Sequence, residues 1–225
     1  AESYVMVACY TQSGNFVAPM TGDYQVTCIA KGGDGGDSNI DSGFYELNGA
    51  GGGAGGAGQK TIHLQKGDTV PITAGSVASF GSYLSASPGE NASFHQGDGS
   101  VSSYYVVPGQ PGSCSGGDKT FVGTAGKPGT NINNRSLQDG GDGGAYQAGQ
   151  SEFLATAGGT GGYYTHDSFG NPQYPVIRSD GESPDTPTPS GLAPFGAGGG
   201  GAIRETFKKG GSGGKAAVIV ELLLD

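Results

Sequence analysis

The chain has 225 residues, of which 48 are glycine, and its formal net charge at pH 7 is −9. This acidic balance, with no basic cluster larger than Lys208-Lys209, argues against proteins that hold nucleic acid or anionic lipid by positive charge. Hydrophobic residues make up 34% of the chain, including 11 Tyr and 9 Phe, which is too much apolar mass for a disordered linker. We expect one ordered domain over residues 1–225, without membrane insertion.

Strands are predicted near both ends of the chain. Residues 4–10, 23–30 and 60–74 are β-branched or aromatic segments bounded by turn residues. In the 23–30 segment, Tyr24, Val26, Cys28 and Ala30 alternate with Gln25, Thr27 and Ile29. The final segment, Ala216–Leu224, is the most apolar. It predicts a central strand buried on both faces and is too short to span a bilayer. The two ends of the chain are expected to pair in one small sheet.

The three cysteines, Cys9, Cys28 and Cys114, are an odd number and exclude a complete disulfide framework. One bridge, between Cys9 and Cys28, remains open. The preferred interpretation is that all three are small buried hydrophobic residues, which suits assembly in a reducing cytosol.

Between the predicted strands, the pattern Gly-Gly-x-Gly-Gly recurs without a fixed repeat length. A helix loses about 1 kcal/mol for each such glycine, and a strand loses its side-chain packing. Polyglycine-II helices, with three residues per turn and no internal hydrogen bonds, could instead pack laterally through main-chain hydrogen bonds. The sequence lacks the strict Gly-X-Y period that a collagen triple helix needs. Flexible linkers are also a poor explanation, because one or two would suffice to join domains and the chain has six tracts. The tracts are 32–36, 52–56, 140–144, 158–162 and 210–214, with a further run at Gly198–Gly201.

A family resemblance lies in the order of these elements. Phe16-Val-Ala-Pro-Met-Thr-Gly-Asp-Tyr-Gln-Val leads into the 32–36 tract, Gly51–Gly58 leads to a strand and then to Gly67-Asp68-Thr69, and Gly210-Gly-Ser-Gly-Gly-Lys-Ala-Ala-Val-Ile-Val-Glu closes the chain. This order resembles the glycine-rich domain of bacteriophage tail fibres and tail tips. The long middle of the chain is similar in composition to the tip adhesins of T-even-like phages.

The resemblance implies a mostly β and irregular fold, in which a small β-sheet from the chain ends joins packed polyglycine-II helices with long aromatic loops. It implies an adhesin at the tip of a virion tail fibre, made in the host cytoplasm. Its partners would be a bacterial surface receptor, either an outer-membrane protein or a glycan, and another tail-fibre protein or the fibre shaft. The separate N-terminal mounting module of T-even adhesins has little room here, so the chain is expected to be a trimmed piece or the end of a longer fibre protein.

Four loop segments are candidates for recognition, because loops on a rigid scaffold carry binding residues. They are 38–48, 101–113, 145–156 and 163–195. The 163–195 segment is the longest and is expected to carry host specificity, since exposed aromatic residues on constrained loops anchor interfaces. The candidate receptor-binding residues are Phe44, Tyr45, Tyr163, Tyr164, His166, Phe169, Tyr174 and Phe195. The alternative for any single ring of the 163–195 segment is that it covers the small core.

Neither a metal site nor a catalytic site is predicted. Asp34, Asp98 and Asp142 lie in Gly-Asp-Gly pieces, but without the acidic spacing of calcium loops, and turn aspartates are the better account. The three histidines lie far apart in the sequence without a Cys or His at ligand spacing. Nucleophile motifs and the phosphate-binding Gly-x-x-x-x-Gly-Lys pattern are absent. We expect no cofactor and no enzymatic activity.

Two other functional classes remain open. A structural or ice-binding glycine-rich protein would use the tracts themselves, although ice binders present flat regular arrays and these tracts alternate with dissimilar loops. A jelly-roll lectin or cytokine-like binding module is the third class, because the segment from Phe16 to Val26 is reminiscent of the opening strand of such folds.

Overall fold

The structure is a computed structural model of the chain. It describes residues 2–40, 46–95, 105–129, 131–132, 140–166, 168–169, 172–178, 195–203 and 209–224. These residues form strands, turns and irregular segments, and no helix occurs among them. The mostly β fold class predicted from the sequence is confirmed.

The strands vary from two to eight residues in length. In chain order they are β1 (Ser3–Tyr10), β2 (Gly14–Val17), β3 (Gly22–Ile29), β4 (Asn39–Ile40), β5 (Glu46–Leu47), β6 (Ala57–Leu64), β7 (Thr69–Ala74), β8 (Ala78–Phe80), β9 (Leu84–Ala86), β10 (Ser93–His95), β11 (Tyr105–Val107), β12 (Cys114–Ser115), β13 (Lys119–Phe121), β14 (Asn131–Ile132), β15 (Tyr163–His166), β16 (Pro172–Arg178) and β17 (Ala217–Leu224).

The first large sheet is antiparallel and has the strand order β1-β17-β3-β6-β13. Ser3 pairs with Leu224, so the two ends of the chain meet in this sheet, as the sequence predicts. The predicted strands at 4–10 and 23–30 correspond to β1 and β3. The predicted 60–74 segment corresponds to β6 and β7, which are separated by a turn in which Gly67 has a φ of 91°.

A second sheet, with the order β12-β9-β8-β7-β2, shares a core with the first. Alternate residues of the first sheet, such as Tyr24 and Val26, point into this core, and Phe80 of β8 enters it from the opposite side. Phe16 packs edge-on against Tyr24, with ring centroids 5.6 Å apart. Burial of these side chains supplies the hydrophobic free energy of this half of the molecule.

The opposite face of the first sheet carries a smaller apolar cluster. Ile29, Ala217 and Ile219 pack there against rings from the 146–154 region and Phe195. The neighbouring residues of β17, such as Val218, belong instead to the core between the sheets. β17 is therefore buried on both faces, which confirms the prediction for the last strand.

All three cysteines are free thiols, but only Cys28 is buried. Cys9 is exposed and Cys114 is partly exposed, so the interpretation of all three as buried hydrophobic residues is wrong for these two. Cys9 pairs with Ile219, whose side chain lies in the smaller cluster, whereas Cys28 pairs with Val218, whose side chain lies in the core between the sheets. Because neighbouring residues of a strand point to opposite faces, Cys9 and Cys28 lie on opposite faces of the first sheet. This geometry rules out the bridge between them that the sequence left open.

The glycine tracts leave the first sheet and lie side by side as neither helix nor strand. Their backbone groups bond to neighbouring tracts: Gly33 donates to the Gly53 carbonyl at 2.8 Å and Gly35 donates to the Gly211 carbonyl at 2.8 Å. The bundle also contains segments with fewer glycines. Its members, called tracts below, are 31–36, 49–56, 87–92, 109–113, 124–127, 140–145, 158–162, 196–202 and 210–214.

Hydrogen bonds in the bundle repeat every three residues. Within tract 49–56, Gly49, Gly52 and Gly55 donate to Ala202, Gly199 and Gly196, all in one neighbouring tract. Gly51 and Ala54 donate to tract 124–127, and Gly53 and Gly56 donate to tract 87–92. The carbonyls of the same tract accept bonds from tracts 31–36, 109–113 and 140–145.

Glycine is required where tracts approach one another. A Cβ atom added to Gly53 would lie less than 3.0 Å from the backbone of Gln110, and one added to Gly143 would lie equally close to the backbone of Gly198. Such contacts leave no space for a methyl group between neighbouring backbones. The interior of the bundle is consequently packed main chain, with small apolar residues such as Ala50 and Ala54 between the glycines.

Candidate binding surface

All the tracts run between two ends of the bundle, and their hydrogen bonds give the direction of each. Tract 49–56 ends where β6 begins, so Gly56 marks the sheet end and Gly49 marks the opposite end, called the loop end below. Gly49 bonds to Ala202 and Gly55 bonds to Gly196, so tract 196–202 runs from the sheet end to the loop end. The same reasoning orients the remaining tracts.

Three small antiparallel sheets lie at the loop end, each at the end of an outgoing tract. The strands β4 and β5 follow tract 31–36 and precede tract 49–56, and β10 and β11 connect tracts 87–92 and 109–113. The strands β15 and β16 follow tract 158–162. Segments far apart in the sequence therefore converge on one surface.

One of these sheets joins two separate connections. β14 pairs with β5, with Asn131 opposite Leu47 and Ile132 opposite Glu46. Residues 131–132, which the sequence did not indicate as part of a recognition loop, thus lie beside residues 46–47 of the predicted 38–48 segment. Their only sequence signal is glycine at every third position in the preceding tract, at Gly123, Gly126 and Gly129.

The hairpin of β15 and β16 holds the longest strand pair at the loop end. Tyr163 pairs with Arg178 and His166 pairs with Pro172, with a register shift between Tyr163 and Thr165. Phe169 lies in the turn between these strands, with 88% of its surface exposed. A Phe ring displayed at the tip of a hairpin is an apolar contact group of the kind that anchors interfaces.

The chain matches the glycine-rich domain family over residues 11–223. It belongs to the glycine-rich domain family. No curated protein matches the chain. The described residues of this glycine-rich domain include no helix that is long and apolar enough to cross a membrane.

The glycine-rich domain places the predicted contact residues in different positions. Tyr163, Tyr164 and His166 lie on β15 and Tyr174 lies on β16, all at the loop end. Phe169 lies in the turn between the two strands. Phe44 and Tyr45, predicted as a second aromatic tip, lie outside the described residues.

Phe195 has a different environment from the other predicted residues. It is only 3% exposed and packs in the smaller cluster against the first sheet. The adjacent Gly196 has a φ of 83° and starts the tract at the sheet end. The ring of Phe195 is therefore part of the core at the sheet end, whereas β15 lies at the loop end. Phe195 cannot contact a ligand that binds at the loop end.

The 145–156 segment, also predicted as a recognition loop, lies at the sheet end. Tyr146, Phe153 and Leu154 are buried in the smaller cluster. The Tyr146 hydroxyl donates to the Gly55 carbonyl at 2.5 Å, and burial raises the pKa of this phenol. These aromatic residues close the sheet end of the bundle, because a ring with one polar atom can cover apolar surface while bonding to a carbonyl.

The aspartates of the Gly-Asp-Gly pieces bond to neighbouring tracts. Asp34 accepts the Gly213 N–H at 2.8 Å and pairs with Lys31 at 2.8 Å, and Asp142 accepts the Gly161 N–H at 2.8 Å. Burial of Asp34 opposes its ionisation, but the hydrogen bonds from Lys31 and Gly213 and the charge of Lys31 hold the pKa of Asp34 below its usual value. These carboxylates extend the main-chain bonding of the bundle to its surface.

The described part of the glycine-rich domain contains no group of three or more His, Cys, Asp or Glu residues arranged to hold a metal ion. His63, one of the predicted isolated histidines, has its Nδ1 atom 2.8 Å from Asp23 on the surface of the first sheet. Asp98 lies outside the described residues.

Proposed function

We propose that the chain is the receptor-binding adhesin at the tip of a bacteriophage tail fibre. The observation that carries this proposal is the convergence of three small sheets, from four separate regions of the chain, at the loop end of one bundle. Loops displayed together on a fixed scaffold are a common design for recognition. The ligand would be an outer-membrane protein or a surface glycan of the host bacterium.

We further propose that the tracts are polyglycine-II helices. A helix with three residues per turn points every third N–H in the same direction, so donors three residues apart should reach the same neighbour. The bonds from Gly49, Gly52 and Gly55 to one tract have this period. Three donor directions and three acceptor directions give a central helix six neighbours, in agreement with the tracts that bond to 49–56.

This scaffold suits an adhesin because its stability does not depend on the residues at the loop end. Main-chain bonds such as that from Gly144 to Gly52, 2.8 Å long, hold the tract ends at fixed spacing. The connections between them can then change in length and sequence while the bundle stays intact. Variable recognition loops on an invariant framework require this separation.

The adhesin would act by binding alone, without a cofactor or catalysis. The long 163–195 segment would contribute through its hairpin, including Tyr163, Tyr164, His166, Phe169 and Tyr174. The sheet end, opposite to the hairpins, would face another tail-fibre protein or the fibre shaft. The acidic charge of −9 is compatible with both partners and disfavours nucleic acid.

The test is binding of the fluorescently labelled full chain to a panel of Gram-negative strains, measured by flow cytometry. Phe169→Ala should weaken binding about 30-fold, since an anchoring aromatic residue contributes about 2 kcal/mol. The matched control is Val122→Ala, because Val122 is also an exposed apolar residue, with 66% of its surface accessible, but follows β13 at the sheet end.

The control should bind as the unmodified chain does, and strains that differ in surface receptors should differ in binding. Equal binding to every strain, or equal losses in both variants, would contradict the proposal. A chain that binds no bacterial strain but adsorbs to ice would favour the structural alternative.

A further inference from the structure

Two of the three thiols meet where Gly58 leaves a gap in the first sheet. Cys28 of β3 is paired directly with Gly58 of β6. A Cβ atom added to Gly58 would collide with Sγ of Cys114 and would lie 3.3 Å from its Cβ. The Cys114 sulfur therefore occupies the place of a side chain directly across from Cys28.

This position makes the two cysteine side chains neighbours. Cβ positions of directly paired antiparallel residues are about 4.5–5.5 Å apart, and the Cys114 sulfur lies at the position that a Gly58 Cβ would take, so the Cys114 side chain lies next to that of Cys28. Both residues contact the core between the two sheets, Cys28 fully buried and Cys114 partly exposed. A disulfide between them would require the two side chains to rotate until their sulfur atoms are in bonding contact.

We propose that Cys28 and Cys114 are an oxidation site that forms a disulfide between the two sheets when the protein leaves a reducing compartment. The bond would connect β3 of the first sheet to β12, the edge strand of the second. This inference does not depend on what the loop end binds. It assigns the third thiol, Cys9, no part in the bond, because Cys9 lies on edge strand β1 and on the opposite face.

The oxidant in this reaction is a small-molecule disulfide such as oxidised glutathione. The Cys114 thiolate, which solvent can reach, attacks one glutathione sulfur and expels the other glutathione as a thiolate. The Cys28 thiolate then attacks the Cys114 sulfur and expels the second glutathione. In total the two protein thiols lose two electrons and two protons, and one small disulfide becomes two thiols.

Burial makes this reaction slow near neutral pH. Desolvation raises the pKa of Cys28 strongly, with a smaller contribution from the neighbouring Cys114, and burial also raises the pKa of Cys114. Because only thiolates attack disulfides, the rate of cross-linking should increase as the pH rises from 7 to 9. The protein would thus keep its thiols during synthesis and acquire the bond slowly afterwards.

The experiment uses the full chain carrying Cys9→Ser, incubated with oxidised glutathione at pH 8.5. No Lys or Arg precedes Lys31, and none lies between Lys66 and Lys119. Trypsin therefore places Cys28 in peptide 1–31 and Cys114 in peptide 67–119. Non-reducing mass spectrometry should detect these two peptides joined, and the melting temperature should increase by about 5–10 °C.

The matched variant is Cys114→Ser with Cys9 retained, which should give neither the joined peptides nor the stabilisation. Cys9→Ser should fold as the unmodified chain does, because Cys9 is exposed. The proposal is overturned if Cys9→Ser yields only glutathionylated Cys114 with Cys28 reduced. It is equally overturned if peptides 1–31 and 67–119 join only when Cys9 is present.

Discussion

In the two stacked sheets, large side chains such as Tyr24, Phe80 and Leu84 fill the interior, whereas the interior of the glycine bundle consists mainly of backbone. The sheets are stabilised by apolar surface removed from water. The bundle is stabilised by hydrogen bonds between tracts, and the absence of side chains is what allows the backbones to approach. The two halves should accordingly respond in opposite ways to mutation. The sheets should be destabilised when side-chain atoms are removed, and the bundle should be destabilised when they are added.

The largest expected effect is from a methyl group inside the bundle. Gly53→Ala and Gly143→Ala should each lower the free energy of unfolding by about 3 kcal/mol or more, since the new Cβ meets backbone that cannot move aside. Gly75→Ala is the matched control, because a Cβ there has no atom within 4 Å and its φ is not left-handed. Chemical denaturation of the three variants checks this, and equal stabilities would contradict a packed backbone interior.

Removing atoms should matter most between the sheets. Phe80→Ala should lower the free energy of unfolding by about 3–5 kcal/mol, because Phe80 is fully buried and leaves a cavity. Val17→Ala is the control, since Val17 is 55% exposed and should change stability by less than about 0.5 kcal/mol. A similar loss in both variants, measured in urea, would mean that the core does not lie between the two sheets.

A smaller effect is expected where an aspartate completes the bonding of a tract. Asp142→Ala leaves the Gly161 N–H without its acceptor and should cost about 1–2 kcal/mol of unfolding free energy. Asp142→Asn keeps a side-chain oxygen in place and should recover most of that loss. If Ala and Asn variants melt at the same temperature, the hydrogen bond contributes nothing to the bundle.

The smallest effect concerns Glu221 on β17. Its pKa is raised by burial and then by the negative charge of Glu152, so the folded state holds the proton more tightly than the unfolded state. The contribution of Glu221 to the free energy of unfolding is therefore fully present below its pKa in the unfolded chain, about 4.3. It is lost as the pH rises through the pKa of Glu221 in the folded protein.

Glu221→Gln should raise the melting temperature at pH 7 and leave it unchanged below about pH 4. Glu152→Gln removes only the second cause and should give a smaller gain at pH 7. A lower melting temperature of Glu221→Gln at pH 7 would contradict this prediction, because it would mean that the charged carboxylate stabilises the folded protein.

The strands of the sheets could be predicted from the sequence because their side chains carry a pattern. Alternation in β3 and the apolar run of β17, which only Glu221 interrupts, identified both strands and their burial. The short strands β8, β9 and β12 were not predicted, since two or three residues are too few for a period to be recognised. Their positions depend on pairing with distant strands.

The tracts could be recognised only where glycine is dense. Tracts 87–92, 109–113 and 124–127 lie around the central tract and need glycine where a neighbouring backbone approaches, as at Gly109 beside Glu90 and at Gly126 beside Gly51. Their prolines and polar residues resemble ordinary loops in the sequence. Glycine also has no side chain to specify a neighbour, so the order of the tracts in the bundle could not be derived.

The candidate site was predictable in its location on connections but not in its composition. The strands β15 and β16 lie at the loop end, as a recognition loop should, whereas Phe195 is buried at the sheet end. Tyr163 and Phe195 are both aromatic residues beside glycine tracts. The local sequence does not show whether a tract runs towards the loop end or away from it. Only the hydrogen-bond partners of each tract do so.

The most direct test of the account is to shorten the β15–β16 hairpin while the tracts are left unchanged. Tyr163 and Arg178 are paired across the hairpin, so a short Gly-Ser linker can replace residues 164–177 without moving either end. We predict that the shortened protein keeps its circular dichroism spectrum and its melting temperature and loses binding to the strains that the full chain recognises. Undiminished binding by a folded, shortened protein would contradict recognition by this hairpin, and a collapse in melting temperature would contradict the independence of scaffold and loops.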